Sequence, residues 1–183
     1  MNELEIVQIL NNFGAGTFLD RLTVLISNNF FITIIFLSIF TIICTFDKKN
    51  FKKLIIGVVV ALALHLLISE LLFKYLLPYF GIFRLRPYLA YPDLITPLGT
   101  NWLGSSFPSG HMSTILSILT PIVFYYRKFW LPTVIFALFM AFARIHNGMH
   151  YPTDVLGGAV LGSLYGLLAI YLSKKYFLKK PKS

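Results

Sequence analysis

Five long apolar stretches dominate this sequence, at about residues 22–46, 54–77, 109–126, 129–145 and 152–173. A stretch of about 20 apolar residues can cross the hydrocarbon core of a bilayer as a helix, because a helix pairs its own backbone polar groups. Hydrophobic residues make up 57% of the chain and charged residues only 13%, which is typical of integral membrane proteins. We therefore predict an all-α integral membrane protein with five transmembrane helices.

The N-terminal residues 4–13 have the pattern of a short amphipathic helix, with apolar side chains on one side at Ile6, Ile9, Leu10 and Phe13. Ten residues are too few to span a bilayer, so we expect an N-terminal interfacial helix that lies on the membrane. The first residues carry Glu3 and Glu5 and lack a basic stretch, which argues against a cleaved signal peptide. We expect residues 1–183 to form a single domain.

Basic residues are distributed unevenly between the predicted loops. Eleven of the sixteen fall on one side of the five spans: Lys48, Lys49, Lys52, Lys53, Arg127, Lys128, Lys174, Lys175, Lys179, Lys180 and Lys182. By the positive-inside rule we expect this side to be cytoplasmic and the protein to lie in the cytoplasmic (inner) membrane. The net charge of +9 thus reflects membrane topology, and we expect the lipid bilayer, and no nucleic acid, as a partner.

Several polar or small residues inside the spans have structural interpretations. His65 is expected to make an interhelical hydrogen bond, and Glu70 and Lys74 are spaced to pair along one helix. Glycines recur every four residues at Gly158, Gly162 and Gly166, which lets helices approach closely in lipid. The segment 78–107 contains four prolines and is expected to fold outside the membrane.

Three groups of polar residues fall on the predicted non-cytoplasmic side, although they are far apart in sequence. They are Arg84-Leu85-Arg86-Pro87 after the second span, Pro108-Ser109-Gly110-His111 at the start of the third, and Arg144, His150 and Asp154 between the fourth and fifth. Guanidinium groups bind phosphate oxygens bidentately, and a helix start presents unpaired N–H groups to an anion. Two histidines add a nucleophile and a proton donor. The combination favours phosphoryl transfer.

The order and spacing of these residues resemble the three-part signature of the type 2 phosphatidic acid phosphatase superfamily. The resemblance covers about residues 74–160 and implies a helical bundle of that family's kind. It implies that His150 is the nucleophile, that Asp154 holds the other ring nitrogen of His150, and that His111 is the general acid. The phosphate-binding residues implied are Arg86, Ser109, Gly110 and Arg144. The resemblance implies no metal and no cofactor.

The sequence departs from the family pattern at two positions. The first motif usually carries a lysine where this chain has Tyr79, and either Lys74 or Arg84 could take that role. The third motif usually has a serine where this chain has Ala143, which removes one hydrogen-bond donor. We therefore add Lys74 and Arg84 to the candidate phosphate-binding residues.

A metal site is the sharpest competing interpretation, because His146, His150 and Asp154 are four residues apart. Pro152 argues against it, since proline favours the first turn of a helix and the helix is expected to restart near Tyr151. The three side chains then need not share a face. His146 is expected at the rim of the site.

The resemblance implies a membrane lipid phosphatase whose active site faces the periplasm or cell exterior, with a lipid phosphate as substrate. Lipid A 1-phosphate and phosphatidylglycerol phosphate rank level, with undecaprenyl diphosphate as a further candidate. A lipid phosphotransferase with the same intermediate, a vanadate-dependent peroxidase, a metal-dependent hydrolase and a transporter are the alternatives.

Overall fold

The computed structural model describes residues 2–177, and every regular element within that range is helical. In chain order the helices are α1 (Glu3–Asn12), α2 (Phe18–Ile26), α3 (Asn29–Phe46), α4 (Lys48–Tyr79), α5 (Pro87–Ala90), α6 (Gly110–Tyr125), α7 (Trp130–His146) and α8 (Pro152–Leu172). Helix α4 is π-helical over Leu66–Leu76, and α8 continues as a π-helix over Ser173–Phe177. The last predicted cytoplasmic lysines, Lys179, Lys180 and Lys182, lie outside the described residues.

Within residues 2–177, four helical stretches are long and apolar enough to cross a membrane, namely α3, α4, α7 with its preceding turn, and α8 with its extension. Helix α6 is also apolar but has only 16 residues. This agrees with an all-α membrane protein, while the count of five spans stays a prediction because it depends on α6.

Two predicted boundaries are wrong. The first span was expected over 22–46, but α2 ends before Ser27 and α3 begins at Asn29, because the Asn28 side chain caps α3 by accepting from the Phe30 and Phe31 amides. The basic residues 48–53 were expected in a loop, yet they form the first turns of α4. Asp47 caps that helix by accepting from the Asn50 amide.

Helices α4, α6 and α8 form the centre of the bundle, and glycines on α8 make the closest approach. A Cβ atom on Gly158 would lie 2.5 Å from the Ser109 carbonyl oxygen, and one on Gly162 would lie 2.4 Å from that of Ser113. The predicted packing role of these glycines is confirmed. The predicted interhelical bond of His65 is confirmed as well, since its ring nitrogens lie 3.1 Å from Ser113 Oγ and 2.9 Å from Thr114 Oγ1.

The basic ends of the helices meet at one end of the bundle. The Tyr126 hydroxyl donates to Asp47 Oδ2 at 3.3 Å, and Lys174 Nζ lies 4.2 Å from the centre of the Phe124 ring. The opposite end holds the starts of α6 and α8 together with the segment between α4 and α6.

Candidate active site

A cavity of about 600 Å³ lies at the end of the bundle opposite the basic ends of the helices. Its wall includes residues from all three polar groups of the sequence and from α4, namely Lys74, Arg86, Gly110, His111, Arg144 and His150. Tertiary folding therefore brings together side chains that lie up to 76 positions apart. Ser109 and Asp154 are fully buried behind this wall.

His150 lies in the short connection between α7 and α8 and is 1% exposed. Its Nδ1 atom donates to the Ser106 carbonyl at 2.8 Å, and Arg86 Nη1 donates to its Nε2 atom at 3.3 Å. These partners fix the tautomer, with the proton on Nδ1 and the lone pair on Nε2. Burial lowers the pKa of His150 well below 6.5, and the nearby cations Arg144, Arg86 and Lys74 lower it further. The ring is thus neutral, with a lone pair on Nε2.

Asp154 does not hold the ring nitrogen of His150, which corrects the sequence-based expectation. The His150 Nδ1 to Asp154 Oδ2 distance is 3.8 Å, beyond hydrogen-bonding range. Instead, Oδ2 accepts from the Tyr151 amide at 2.8 Å and Oδ1 accepts from Arg84 at 2.7 Å. Because these donors occupy the carboxylate, the Ser106 carbonyl takes the position beside the ring. Asp154 thereby orders the connection that carries His150.

Arg84 is engaged outside the cavity. Its Nη2 atom donates to Glu3 Oε2 at 2.6 Å, its Nη1 atom donates to Thr153 Oγ1 and Asp154 Oδ1 at 2.7 Å each, and its guanidinium stacks 4.0 Å over the Tyr151 ring. Burial alone would lower the pKa of Arg84, but Glu3 and Asp154 raise it. Arg84 therefore joins α1 to the start of α8 and is not aimed at the cavity.

Lys74 lies on the cavity wall, on the π-helical part of α4. Its Nζ atom is 3.8 Å from Glu70 Oε1, which confirms the predicted pair. The same atom would lie 2.9 Å from a Cβ on Gly110, so the lysine approaches the start of α6 closely only because residue 110 is glycine. The structure thus places Lys74, rather than Arg84, beside the other cations.

The two arginines of the cavity are held differently. Arg86 donates to three carbonyls, those of Gly104, Ser105 and Met149, at 3.0–3.3 Å. Arg144 is 5% exposed, and its Nε atom has no hydrogen-bond partner among the described residues. The described lining contains three cations, Lys74, Arg86 and Arg144, against one carboxylate, Glu70. This charge balance suits a dianion such as a phosphate monoester.

The start of α6 supplies neutral donors and the second histidine. Ser109 precedes the helix, its amide donates to the Asp154 carbonyl at 3.0 Å, and its buried hydroxyl has no partner among residues 2–177. The Nε2 atom of His111 donates to the Ser27 carbonyl at 2.8 Å. In the neutral ring Nδ1 then carries the lone pair, so Nδ1 is the atom that can accept and deliver a proton.

His146 is not at the rim of the site, where the sequence placed it. It is fully buried, with Nδ1 3.1 Å from Thr23 Oγ1 and Nε2 donating to the Phe13 carbonyl at 3.0 Å. These partners lie in α2 and at the end of α1, because α7 packs against both helices. His146 therefore anchors the N-terminal helices and does not join His150.

Sequence reasoning missed four residues that support the site, namely Glu3, Asn11, Ser27 and Ser106. Asn11 is buried and donates to the His146 and Thr96 carbonyls at 2.7 and 2.9 Å. Together with Glu3, it ties α1 to the bundle at both ends. Among these four residues, only Ser27 had a local signal in the sequence, because it belongs to the polar run Ser27-Asn28-Asn29. Ser27 and Ser106 contact His111 and His150 through their backbone carbonyls, so the identity of their side chains does not indicate these contacts.

Comparison with known proteins identifies a family and several relatives. The model of the PAP2 superfamily matches residues 52–177. The undecaprenyl-diphosphatase BcrC of Bacillus subtilis is 40% identical over 86 residues, covering 47% of this chain and 44% of that protein. The lipid A 4'-phosphatase of Bacteroides thetaiotaomicron is 31% identical over 137 residues, covering 69% and 59%. The chain thus spans about half the length of the curated relatives it matches.

The fold has a solved counterpart. The crystal structure of Aquifex aeolicus LpxE superposes with a TM-score of 0.66 at 21% identity, covering 92% of this chain and 94% of that one. The match extends beyond the motif region to nearly the whole bundle. The chain belongs to the PAP2 superfamily.

Proposed function

We propose that this protein is a membrane lipid phosphatase that acts through a phosphohistidine on His150. The observation that carries the proposal is the environment of His150 Nε2. The Ser106 bond at Nδ1 leaves the lone pair on Nε2, where it accepts from Arg86 Nη1 at 3.3 Å, and His150 borders a cavity whose described lining holds three cations and one carboxylate. Family membership supports the same conclusion, since relatives of this chain are named as phosphatases of lipid phosphates.

In the first step, His150 Nε2 attacks the phosphorus of the substrate while the bond from phosphorus to the lipid oxygen breaks. His111 enters this step with a proton that its Nδ1 atom has taken up from solvent as the phosphate dianion binds, and it gives that proton to the departing oxygen, so the lipid leaves as an alcohol or, from a diphosphate, as a monophosphate. Arg86, Arg144 and Lys74 bind the phosphoryl oxygens, with the Ser109 hydroxyl and the Gly110 amide as neutral donors.

In the second step, His111 Nδ1 takes a proton from water, the water oxygen attacks phosphorus, and the bond from phosphorus to Nε2 breaks. Inorganic phosphate leaves, and both histidines return to their starting states. The Ser106 carbonyl, which accepts from Nδ1 of His150, stabilises the positive ring while phosphorus is attached. Protein groups supply all the charge stabilisation in both steps, so we propose a metal-independent reaction.

A lipid can reach this cavity from the side. The cavity wall includes Asn29 and Ile32 from α3 and Leu66 and Tyr75 from α4, and the last two are 60% and 69% exposed. The gap between α3 and α4 therefore admits a phosphate whose chains stay in the bilayer. We propose that the site faces the periplasm or cell exterior from the cytoplasmic membrane, because the basic ends of the helices lie at the opposite end of the bundle.

The substrate candidates are lipid A 1-phosphate, phosphatidylglycerol phosphate and undecaprenyl diphosphate. The experiment that tests the proposal measures phosphate release by the full chain in detergent with EDTA present. We expect turnover that survives EDTA, is inhibited by vanadate and disappears in His150→Ala, with Asp93→Ala in the exposed loop as the control. Full turnover in His150→Ala, or loss in EDTA that zinc restores, would refute the mechanism.

A further inference from the structure

Glu70 is the one carboxylate in the described lining of the cavity, and the proposed mechanism gives it no role. It lies on the π-helical part of α4, in a stretch apolar enough to cross a membrane, where an ionisable side chain is costly and usually serves a function. A negative charge beside three cations also weakens the binding of any phosphate. An apolar side chain would avoid both costs, so the carboxylate needs a reason of its own.

The carboxylate of Glu70 is loosely held. Its Oε1 atom is 3.8 Å from Lys74 Nζ and 3.6 Å from His65 Nε2, and both distances exceed hydrogen-bonding range. The ring nitrogens of His65 are occupied by the Ser113 and Thr114 hydroxyls at 3.1 and 2.9 Å. The Glu70 side chain is 33% exposed on the cavity wall. Its charge is therefore only partly offset by Lys74 and acts on an anion in the cavity.

The position of Glu70 along α4 places it between the lipid-facing gap and the phosphate-binding cations. Leu66, Glu70, Lys74 and Tyr75 all line the cavity, and their spacing of four or five residues is about one turn of a π-helix. Glu70 Oε1 would also lie 3.1 Å from a Cβ atom on Gly110, at the start of α6. A substrate whose chains lie along Leu66 while its phosphate reaches Lys74 must therefore pass the Glu70 carboxylate. The atoms that pass it are those next to the transferred phosphoryl group.

The number of charges decides which substrate this carboxylate disfavours. With neutral histidines, three cations and one carboxylate give the described lining a net charge of +2 in the free protein. A phosphate monoester carries about two negative charges above its second pKa, and a lipid diphosphate carries about one more, on the phosphate next to the lipid. That additional charge lies in the part of the substrate that passes Glu70. Repulsion between like charges in a partly buried site is large enough to lower kcat/KM about tenfold.

We propose that Glu70 is a specificity-determining residue, which favours lipid phosphate monoesters over lipid diphosphates by repelling the additional charge. This inference rests on the proposed phosphatase function. It assigns Glu70 a direct effect on the substrate. If Glu70 only held Lys74 in place, its loss would change the turnover of both kinds of substrate in the same proportion.

The test compares farnesyl phosphate with farnesyl diphosphate, which share one hydrocarbon chain and differ by one phosphate group. Initial rates of phosphate release are measured in detergent at about pH 8, where both head groups are ionised. The selectivity ratio is kcat/KM for the diphosphate divided by kcat/KM for the monophosphate. In Glu70→Gln we expect this ratio to rise about tenfold, because glutamine has nearly the same shape and no charge.

Two further variants serve as controls. Glu70→Asp retains the charge and should keep the wild-type selectivity ratio. Asp93→Asn removes one negative charge from an exposed loop position outside the cavity and should keep it as well.

A wild-type ratio in a folded Glu70→Gln protein would overturn the inference, even if both rates fell, and would make Glu70 a positioning partner of Lys74. Loss of all turnover in that folded variant would also overturn it, because the reaction would then require the carboxylate. Absence of phosphate release by the wild type from these two substrates and from the three candidate lipids would overturn the proposed function itself.

A second measurement needs no variant. Methylphosphonate and methylenediphosphonate are stable analogues of the two head groups and should compete with the substrate. Because Glu70 repels the additional charge, we expect the diphosphonate to inhibit the wild type no more strongly than the monophosphonate. Markedly stronger inhibition by methylenediphosphonate would overturn the inference even if Glu70→Gln failed to fold.

Discussion

The carboxylate of Glu3 lies 2.6 Å from the guanidinium of Arg84, 81 positions away in the sequence. The other Glu3 oxygen accepts from the amide and the hydroxyl of Thr153 at 2.9 and 2.6 Å. Arg84 in turn donates to Asp154, which orders the connection that carries the proposed nucleophile. An N-terminal helix that the sequence placed on the membrane surface is therefore joined to the start of α8 beside the active site.

Glu3→Gln is expected to lower kcat severalfold with little change in KM. Arg84 loses its charged partner, and Asp154 and the His150 connection become less well ordered, whereas the phosphate-binding cations stay in place. Steady-state kinetics of the detergent-solubilised protein measure both constants. Glu5→Gln on the same helix is the charge-matched control, and an equal fall in kcat there would assign the effect to α1 in general.

The same contact gives a prediction for stability and pH. Partial burial raises the pKa of Glu3, but hydrogen bonds from Thr153 and the neighbouring Arg84 lower it below 4.5 overall. A carboxylate whose pKa is lowered on folding stabilises the protein above its unfolded pKa, and the contribution is lost as pH falls through the folded pKa. We expect wild-type Tm to exceed that of Glu3→Gln at pH 6 and the difference to shrink below pH 4.5. A constant difference in Tm would contradict this.

Lys74 and Arg84 should respond differently to loss of charge. Lys74→Gln removes a cation from the cavity, and we expect kcat/KM to fall by about 100-fold, as for other preorganised charge-stabilising groups, with weaker vanadate inhibition. Arg84→Gln should lower Tm and kcat without weakening vanadate inhibition. Vanadate inhibition constants and Tm values for both variants separate the two roles, and the reverse pattern would make Arg84 the phosphate ligand.

The pH profile should report a neutral nucleophile. Burial and the cations Arg144, Arg86 and Lys74 hold the pKa of His150 well below 6.5. Protonation inactivates a nucleophilic imidazole, so the acidic limb of kcat/KM assigned to the free protein should lie below pH 6.5. Lys74→Gln removes one of the cations and should move this limb to higher pH. Because both proteins are measured with the same substrate, ionisation of the substrate affects the two pH profiles equally. Acidic limbs at the same pH in wild type and Lys74→Gln would contradict the assignment to His150.

Orientation in the membrane can be tested with single cysteines. After replacement of the native Cys44 by serine, Asp93→Cys in the loop before α6 should react with a membrane-impermeant thiol reagent in spheroplasts. Lys175→Cys at the basic end should react only after lysis. The opposite labelling pattern would place the site in the cytoplasm.

Sequence reasoning reached the helical class and the end of the bundle that holds the candidate site because those depend on local patterns. The apolar runs located α6, α7 and α8 closely, and Pro152 correctly marked the start of α8. Glycine spacing on α8 identified its packing face. The same local reasoning predicted one span where the structure has the two helices α2 and α3. The polar residues Ser27 to Asn29 lower the local hydropathy only slightly, although Asn28 caps a new helix.

The sequence by itself determined the family signature, the candidate residues His111, Arg144, His150 and Asp154, and the side of the bundle on which they meet. Only the tertiary structure decided which cation faces the cavity, which His150 nitrogen carries the lone pair and what Asp154 contacts. The physical reason is that these outcomes depend on hydrogen bonds between distant segments. Glu3 and Thr153 are 150 positions apart, and Ser106 and His150 are 44 apart. Competition among such partners for a carboxylate or a ring nitrogen is settled only when the chain is folded.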